Sequence, residues 1–496
     1  MLKLAKEQKD KISGAEREKL INIRLACLII ILVASLPLFT DFLISGTKLS
    51  YQLIRMEALK NGLQQYGLHL WAKPEWVQPL GLSFAFYYGD TFLYIPAILN
   101  LLGFSVMASY RIFLIVINIT TVTVTYHVFR KMFQDEYVGV LGTALYSASI
   151  YRMFLLYGEA ELGETMALVF LPLVLYGCYL IFMKQDSKWA YIWVVIGLTG
   201  MLRSHVLSTC ITLLFVLAVA LIHIKQYRCK YVWIQTGLTG VSFVLFNLNY
   251  LYTMYRYMTC GMYLLNPLQG QMIQAKGIHL AQLFMCFYQA GGSHEFGTTG
   301  IINAAPVGLG VSLLMAVLAF LYLLFVYGDT YTNKVKINGY KVFFVGLAAC
   351  YLSALCFPWD RIFKLGSGVA DVISMMQEPW HFLQIGLIAF SALACIVYGM
   401  LKEKNACYSK IYGVVLVVST LLFSSYLAAN MLFTYDFVRV NAAEEIPYGE
   451  IAGMGVQVEM MHTSWYLCTI IVVASVVATV LMYRKDRKRV KQRDEL

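Results

Sequence analysis

Long apolar segments, separated by short polar ones, occupy most of the chain. Most of them approach the roughly 20 residues that an α-helix needs to cross a bilayer. The run 94–102 is too short to cross and predicts a re-entrant or interfacial piece. The pattern predicts an all-α integral membrane protein with about twelve spanning helices. They lie near residues 25–43, 107–128, 137–156, 165–183, 189–203, 205–224, 231–253, 306–328, 342–357, 381–401, 410–431 and 465–483.

The segment 40–61, directly after the first apolar run, has the spacing of an amphipathic helix at the membrane surface. Lys48, Gln52 and Arg55, at positions i, i+4 and i+7, share one face of this helix. Such a face suits a lipid phosphate, which Arg binds with two parallel hydrogen bonds. A solvated interfacial helix fits the same spacing. The predicted apolar face consists of Leu49, Leu53, Met56 and Leu63.

Composition supports the membrane class. The chain is 59% hydrophobic and only 14% charged, and its mean hydropathy is +0.65. It contains no Walker A sequence, no HExxH and no GxSxG, so ATP-driven and common hydrolase chemistry have no support. The 11 cysteines are scattered and show no metal-ligand spacing. We therefore expect no cofactor, and no motif supports a divalent cation.

The distribution of Lys and Arg predicts the orientation. With the N-terminus inside, most of the 39 basic residues fall in cytoplasmic segments, which places both termini in the cytoplasm of a multi-pass cell-membrane protein. The formal charge of +11 then indicates contact with anionic lipids and not with nucleic acid. The larger outer loops are 41–106, 254–305, 358–380 and 432–464. The predicted organisation is a basic N-terminus (1–24), a main membrane domain (25–401), C-terminal membrane helices (402–483) and a basic tail (484–496).

Ionisable residues interrupt the apolar pattern at the outer ends of several predicted spans. Glu164 precedes a long apolar run, where a charge is costly without a partner; an acid facing a helix dipole is the competing interpretation. Arg203 and His205 lie between the fifth and sixth spans, where a His serves as a proton carrier, a ligand or an ordinary interfacial residue. Gln377 and His381 lie next to the start of the tenth span, and Glu378 and His381 are candidates for the wall of a site.

Five short sequences occur in a fixed order over roughly residues 20–400. They are GTKLSYQLIRME at 46–57, FYYGDTFLYIP at 86–96, GE at 163–164 with FLPLVLY at 170–176, SH at 204–205 and QEPWHF at 377–382. Their order resembles that of the GT-C superfamily of membrane glycosyltransferases, and more closely a group of bacterial polytopic membrane proteins with a GT-C-like layout. The resemblance implies an active site on the outer face, a polyprenyl-phosphate sugar as donor, and membrane lipids and a cell-envelope glycan, lipid or protein as further partners.

The sequence departs from the pattern of that group in the first loop. Thr47 and Lys48 stand where the group has a His-Asp pair, and Gln52 replaces a His, whereas Arg55 is retained. The resemblance implies that a first-loop acid is the general base, and Lys48 is not a base at neutral pH unless strongly desolvated. A base must only reach the acceptor proton. The possible substitutes are Asp41, Glu57 and Asp90.

The resemblance implies a mechanism for these residues. Arg55, helped by Lys48 or Arg203, neutralises the leaving lipid phosphate, and Asp41, or else Asp90, takes the acceptor proton. A single displacement of this kind inverts the anomeric centre. The remaining predicted substrate-binding residues are Gln52, Glu164, His205, Gln377 and His381.

Two other function classes fit the sequence. A GT-C-like protein that has lost catalysis fits the missing His-Asp pair and would act in envelope assembly. A lipid or polysaccharide transporter would also be polytopic, but it usually shows paired broken helices or inverted repeats, and the sequence shows no convincing repeat.

Overall fold

The computed structural model describes residues 14–44, 46, 48–66, 89–259, 270–284, 307–374, 376, 378–433, 439–440 and 463–494. Within these ranges the regular structure is helical except for two short paired strands. The α-helices are α1 Gly14–Ala34, α2 Leu49–Tyr66, α3 Tyr94–Leu101, α4 Val106–Phe133, α5 Glu136–Ser147, α6 Ile150–Met153, α7 Leu162–Tyr179, α8 Ala190–Leu202, α9 Val206–Ile222, α10 Lys230–Thr259, α11 Gly270–Ala275, α12 Val311–Tyr327, α13 Asn333–Ser353, α14 Trp359–Phe363, α15 Ser367–Ser374, α16 Leu383–Lys404, α17 Ala406–Phe433 and α18 Thr463–Asp494.

Shorter elements complete the described part of the chain. The 3-10 turns are Leu36–Leu38, Ile224–Arg228, Gln282–Phe284, Gly328–Thr330 and Pro379–Phe382. Two π-helical turns, Phe154–Gly158 and Leu180–Lys184, extend α6 and α7. The strands β1 (Leu43–Ile44) and β2 (Arg439–Val440) pair antiparallel, with Leu43 opposite Val440. This pairing joins the segment after α1 to the segment after α17.

Eight helices in the described residues are long and apolar enough to cross a membrane. The prediction of an all-α integral membrane protein is therefore confirmed. The predicted count of about twelve spans is not confirmed. The bent pair of α5 with Ile150–Gly158, which turns by 45°, adds at most a ninth span. The helices at two further predicted spans, α8 and α9, have only 13 and 17 residues.

The first predicted span, 25–43, differs from the helix that the structure contains. Helix α1 begins eleven residues earlier, because the polar residues before the apolar run continue the same helix. It ends at Ala34 because Pro37 lies in the following 3-10 turn, and a proline supplies no backbone N–H to continue an α-helix. Leu38 is thus buried against the bundle without extending the helix.

The prediction that α2 lies at the membrane surface is wrong, because its apolar face is buried in the protein. Leu49, Leu53 and Met56 are buried against the protein, as is Leu59 one turn later. The helix packs on α3 and α4. A stripe at this spacing fits a membrane interface and a protein core equally well, and here the core provides the partner. The run 94–102, predicted to be too short to span, forms the eight-residue helix α3, about 12 Å long.

The core of the bundle centres on α16. In its candidate span 89% of residues are buried, the highest share among the described spans. It packs against α5, α12, α13 and α17. By contrast, no residue of the span Leu467–Asp486 in α18 is buried, and this helix lies at the periphery against α10.

Helices α7 and α8 meet at small residues. A Cβ on Gly177 would lie 2.4 Å from Cγ2 of Val194, and a Cβ on Gly197 would lie 2.9 Å from the backbone nitrogen of Val174. Glycine at these two positions lets the two backbones approach closely. Close packing of this kind stabilises helix pairs in a membrane, because apolar surface is as well solvated by lipid as by protein. The contact fixes the helix whose first turn carries Glu164.

We expect Gly197→Ala to destabilise the protein by about 1–3 kcal/mol, because the added methyl overlaps backbone atoms of α7. Gly240→Ala in α10 is the matched control. A Cβ there meets nothing within 4 Å, so only the favourable helix propensity of Ala remains. Thermal unfolding of both variants in detergent checks this. Equal midpoints for the two variants would contradict the close α7–α8 contact.

Candidate functional site: a buried polar cluster

The polar face of α2 is buried in protein. The side chain of Gln52 is 0% exposed and that of Arg55 is 3% exposed, although the same spacing on a solvated helix would leave both in water. Nη1 of Arg55 donates to Oε1 of Gln52 at 3.0 Å, and Nε2 of Gln52 donates to the carbonyl of Ala160 at 3.3 Å. The predicted shared face is therefore present, and it contacts the segment before α7.

The start of α2 is held against residues 157–161 by backbone contacts. The backbone N–H of Lys48 donates to the carbonyl of Glu159 at 2.9 Å. A Cβ on Gly46 would lie 2.7 Å from the carbonyl oxygen of Tyr157, so only glycine permits this approach. Ala160 adopts a left-handed backbone conformation with φ of +52°, a strained state for a residue with a Cβ. This turn directs Glu161 toward Lys48.

The side chains of Lys48 and Glu161 form an ion pair. Glu161 is fully buried, and Lys48 is about one quarter exposed. The second carboxylate oxygen of Glu161, Oε1, is buried and has no hydrogen-bond partner within the described ranges. A buried carboxylate with an unsatisfied oxygen is costly, so this oxygen is ready to accept a proton or a hydrogen bond from a ligand.

A second ion pair joins α2 to the segment before α3. Nη2 of Arg55 donates to Oδ1 of Asp90. The position of Asp90 is set by Gly89, whose N–H donates to the carbonyl of Ser204 at 3.2 Å. A Cβ on Gly89 would lie only 1.8 Å from the carbonyl oxygen of Arg203, so glycine is required at this position.

Glu164, in the first turn of α7, has side-chain partners, as predicted from the free-energy cost of burying a charge beside an apolar run. It is 0% exposed. The hydroxyl of Tyr151 donates to Oε1 of Glu164 at 2.6 Å, and Nδ1–H of His381 donates to Oε2 at 2.5 Å. These contacts fix the His381 ring, whose Nε2 lies 3.9 Å from Oε2 of Glu378. The helix-dipole interpretation does not account for two side-chain donors.

His205 lies beside His381 and caps α9. The two ring centroids are 5.7 Å apart. Nδ1 of His205 accepts the N–H of Ser208 at 3.4 Å and lies 2.8 Å from its hydroxyl. The Arg203 side chain instead points to α10, where Nη2 donates to Oδ1 of Asn249 at 2.7 Å.

These contacts close into one ring of side chains and backbone. Helix α2 contacts residues 159–161, α7 contacts the start of α16, His381 faces His205, and Ser204 returns to the segment of Asp90. We call this set the polar cluster. Its members are Lys48, Gln52, Arg55, Asp90, Tyr151, Glu161, Glu164, His205 and His381.

Burial governs the protonation of two acids in the polar cluster that lie outside the spanning helices. It raises the pKa of Asp90, an effect that the charge of Arg55 opposes. It also raises the pKa of Glu161, where the charge of Lys48 opposes it. Each carboxylate therefore binds a proton more readily than in water.

Among the described residues, three sequence-predicted site residues, Asp41, Glu57 and Arg203, are not joined to the polar cluster by their side chains. Asp41 is exposed, and no hydrogen bond or ion pair within the described ranges connects it to the cluster. Glu57 lies half-buried on α2, and its Oε2 is buried without a partner in the described part of the chain. Gln377 lies outside the described residues. The catalytic roles of Asp41, Glu57 and Asp90 remain predictions.

Sequence reasoning missed two members of the polar cluster. Tyr151 lies in an apolar run, where a single hydroxyl gives no signal. Glu161 lies in the same polar segment before the fourth predicted span as Glu164. Its spacing of three residues from Glu164 was the available signal, since such residues share a helix face. In the described residues no group of three or more His, Cys, Asp or Glu side chains is arranged to hold a metal ion.

Comparison with known proteins adds a remote structural likeness. No protein-family model matches the chain, and no curated protein matches it. Among solved structures, the chain is similar to the arabinofuranosyltransferase AftD from Mycobacteria, with 11% sequence identity and a TM-score of 0.42. The likeness covers 85% of this chain and 27% of that one, so the chain spans about a quarter of the length of AftD. The function proposed below is supported by the polar cluster and not by this likeness.

We expect the buried Glu164–His381 pair to show a coupling energy of about 0.5–3 kcal/mol in a double-mutant cycle. Either single change, Glu164→Gln or His381→Asn, leaves a buried partner without its charge or hydrogen bond, so each one destabilises the protein. The double variant should lose less than the sum. Thermal unfolding in detergent measures all four proteins, and strictly additive losses would show that the two side chains do not interact.

Proposed function

We propose that this protein is a GT-C-like membrane glycosyltransferase that moves a sugar from a polyprenyl-phosphate donor to a cell-envelope acceptor, with the polar cluster as its active site. One observation supports this above all. Arg55 and Lys48, each paired with a carboxylate, lie together with a buried Glu–His pair at the ends of apolar helices. Ionisable groups in such a setting are expensive and usually functional. In this proposal the cluster faces outward, and both termini are cytoplasmic.

The donor phosphate binds at the cation pair of α2. Arg55 offers a planar group that binds two phosphate oxygens, and Lys48 adds a second positive charge on the same face. In the resting protein, Asp90 and Glu161 neutralise these cations. When the phosphate replaces Asp90 at Arg55, the charge that develops on the leaving lipid phosphate is stabilised.

Asp90 is the acid that best fits the general base. It is joined to Arg55, whereas Asp41 is exposed and Glu57 makes no hydrogen bond or ion pair with the cluster within the described ranges. Once the phosphate occupies Arg55, the carboxylate of Asp90 is released to accept the proton of the acceptor hydroxyl. The acceptor oxygen then displaces the lipid phosphate in one step, with inversion at the anomeric carbon.

The Glu164–His381 pair positions groups around the acceptor. The carboxylate of Glu164 orients His381 through Nδ1, which leaves Nε2 free to turn toward a ligand or toward Glu378. Oε1 of Glu161, which is unsatisfied, provides a further acceptor for a sugar hydroxyl.

One observation favours a second candidate function, a GT-C-like protein without catalysis that acts in envelope assembly. Both cations already have a carboxylate partner, as in a structural ion-pair network. In that case the pairs would hold the first loop in place and no donor would be consumed.

We expect Asp90→Asn to lower sugar transfer by about a hundredfold or more, the usual contribution of a general base. Arg55→Gln should lower it comparably, since it removes the phosphate contact. Membranes containing each variant are assayed with radiolabelled polyprenyl-phosphate hexoses. Lys402→Gln is the matched control, because it breaks an exposed ion pair with Asp135, 2.5 Å long and far from the cluster.

The outcomes separate the two candidates. Transfer by the wild type and the control, but not by the two variants, supports the transferase. Full activity of Asp90→Asn in a properly folded protein would exclude this residue as the base. No transfer by the folded wild type with any donor would favour the non-catalytic protein.

The raised pKa of Asp90 predicts the acid limb of the pH–rate profile. A general base works only when ionised, so transfer falls as the pH drops through the pKa of this carboxyl. Because burial raises that pKa, the fall occurs above the ordinary value for Asp of about 3.9. The measurement is kcat/KM between about pH 4 and pH 8. A rate that is unchanged across this range would contradict the assignment.

A further inference from the structure

A second feature of the bundle lies in the half opposite the polar cluster. A cavity of about 220 Å³ opens there between α7, α9, α13 and α16. Its walls are almost entirely apolar, and its volume is below the roughly 300–1,000 Å³ of a typical small-molecule pocket. It therefore suits one narrow apolar chain. Lining residues include Cys178, Phe182, Val219, Val345, Ala389 and Ala392.

This cavity is separate from the polar cluster. Cys178 lies 14 residues after Glu164 along the same helix, a rise of about 21 Å. Likewise, His223 follows the C-terminal end of α9, whereas His205 caps its N-terminal end. No member of the polar cluster lines the cavity.

One cationic side chain stands at this cavity without an acidic partner. Nζ of Lys341, on α13, lies 3.0 Å from Nε2 of His223. Nδ1 of His223 lies 2.9 Å from the carbonyl of Val219, and a carbonyl only accepts, so Nδ1 carries the proton. Nε2 is then the acceptor, Lys341 is the donor, and the imidazole is neutral. Within the described ranges Lys341 makes no ion pair with a carboxylate.

We propose that this cavity binds an acyl chain of an anionic phospholipid, with the lipid phosphate at Lys341. The apolar walls accept the chain, and the ammonium group of Lys341, which contacts the neutral imidazole of His223, complements the phosphate. Asn338, one turn before Lys341 on α13, also lines the cavity and adds a hydrogen-bonding amide. This inference does not depend on the proposed transfer reaction.

The headgroup decides which lipid binds. A lipid tail gains little by leaving other tails for an apolar wall, because the bilayer is as apolar as the protein surface. The charge of Lys341 therefore gives the preference. Phosphatidylglycerol should bind better than phosphatidylcholine, whose choline group neutralises the phosphate.

The test uses the full chain in nanodiscs that contain phosphatidylglycerol or phosphatidylcholine with a photoreactive group in one acyl chain. Mass spectrometry then locates the labelled peptides. We expect phosphatidylglycerol to label the segments that contain Cys178 and Ala392. Lys341→Gln should lower this labelling about fivefold, the effect of one Lys near an anionic lipid surface. Lys334→Gln is the matched control, because this Lys is exposed on the same helix and does not line the cavity.

A second variant tests the cavity itself. Ala392→Phe fills the space, so it should abolish labelling by either lipid, and its unfolding temperature shows whether the bundle survives. If Ala392→Phe does not fold, the labelling of Lys341→Gln still tests the proposal. Equal labelling by the two lipids, or no change in Lys341→Gln, would overturn the proposal. Preferential labelling by a photoreactive polyprenyl phosphate added in competition would overturn it too, since the cavity would then belong to the donor lipid.

Discussion

Charges buried among apolar helices require partners of opposite charge, and the polar cluster of this bundle supplies them. Arg55 with Asp90, and Lys48 with Glu161, join α2 to two other segments that lie far away in sequence. Removing one partner leaves an uncompensated charge buried away from water. This destabilises a protein far more than replacing both partners with apolar residues does. The geometry of these pairs depends on several local features. These are the close backbone approaches at Gly46 and Gly89, the strained turn at Ala160 and the burial of α2.

The sequence could predict local features of this arrangement because these depend on spacing alone. The common face of Lys48, Gln52 and Arg55 follows from the helical repeat, and the cost of a charge before an apolar run indicated a partner for Glu164. The surroundings of α2 could not be predicted from this spacing. An amphipathic stripe is the same whether lipid headgroups or protein cover it, so the core position of the helix needed the fold. The proximity of Asp90 to Arg55 needed it too, because it depends on a backbone contact between Gly89 and Ser204, which are distant in sequence.

The same helices position two different chemical environments. The N-terminal ends of α7, α9 and α16 carry or adjoin Glu164, His205 and His381. Farther along these helices, apolar side chains surround the cavity beside Lys341. The close α7–α8 contact at Gly177 and Gly197 holds one of these helices in place over its length. Polar chemistry and apolar binding are thus separated by distance along shared helices and not by separate domains.

The long sequence separation within the polar cluster has a consequence for biosynthesis. Lys48 and Arg55 emerge early, Glu161 and Glu164 follow more than a hundred residues later, and His381 is made only when most of the chain has been inserted. Chains fold from the N-terminus as they are made. Until α16 arrives, the Tyr151 hydroxyl is the side-chain partner that Glu164 has among the described residues. The growing chain therefore carries one incompletely compensated acid, Glu164, until α16 has been inserted.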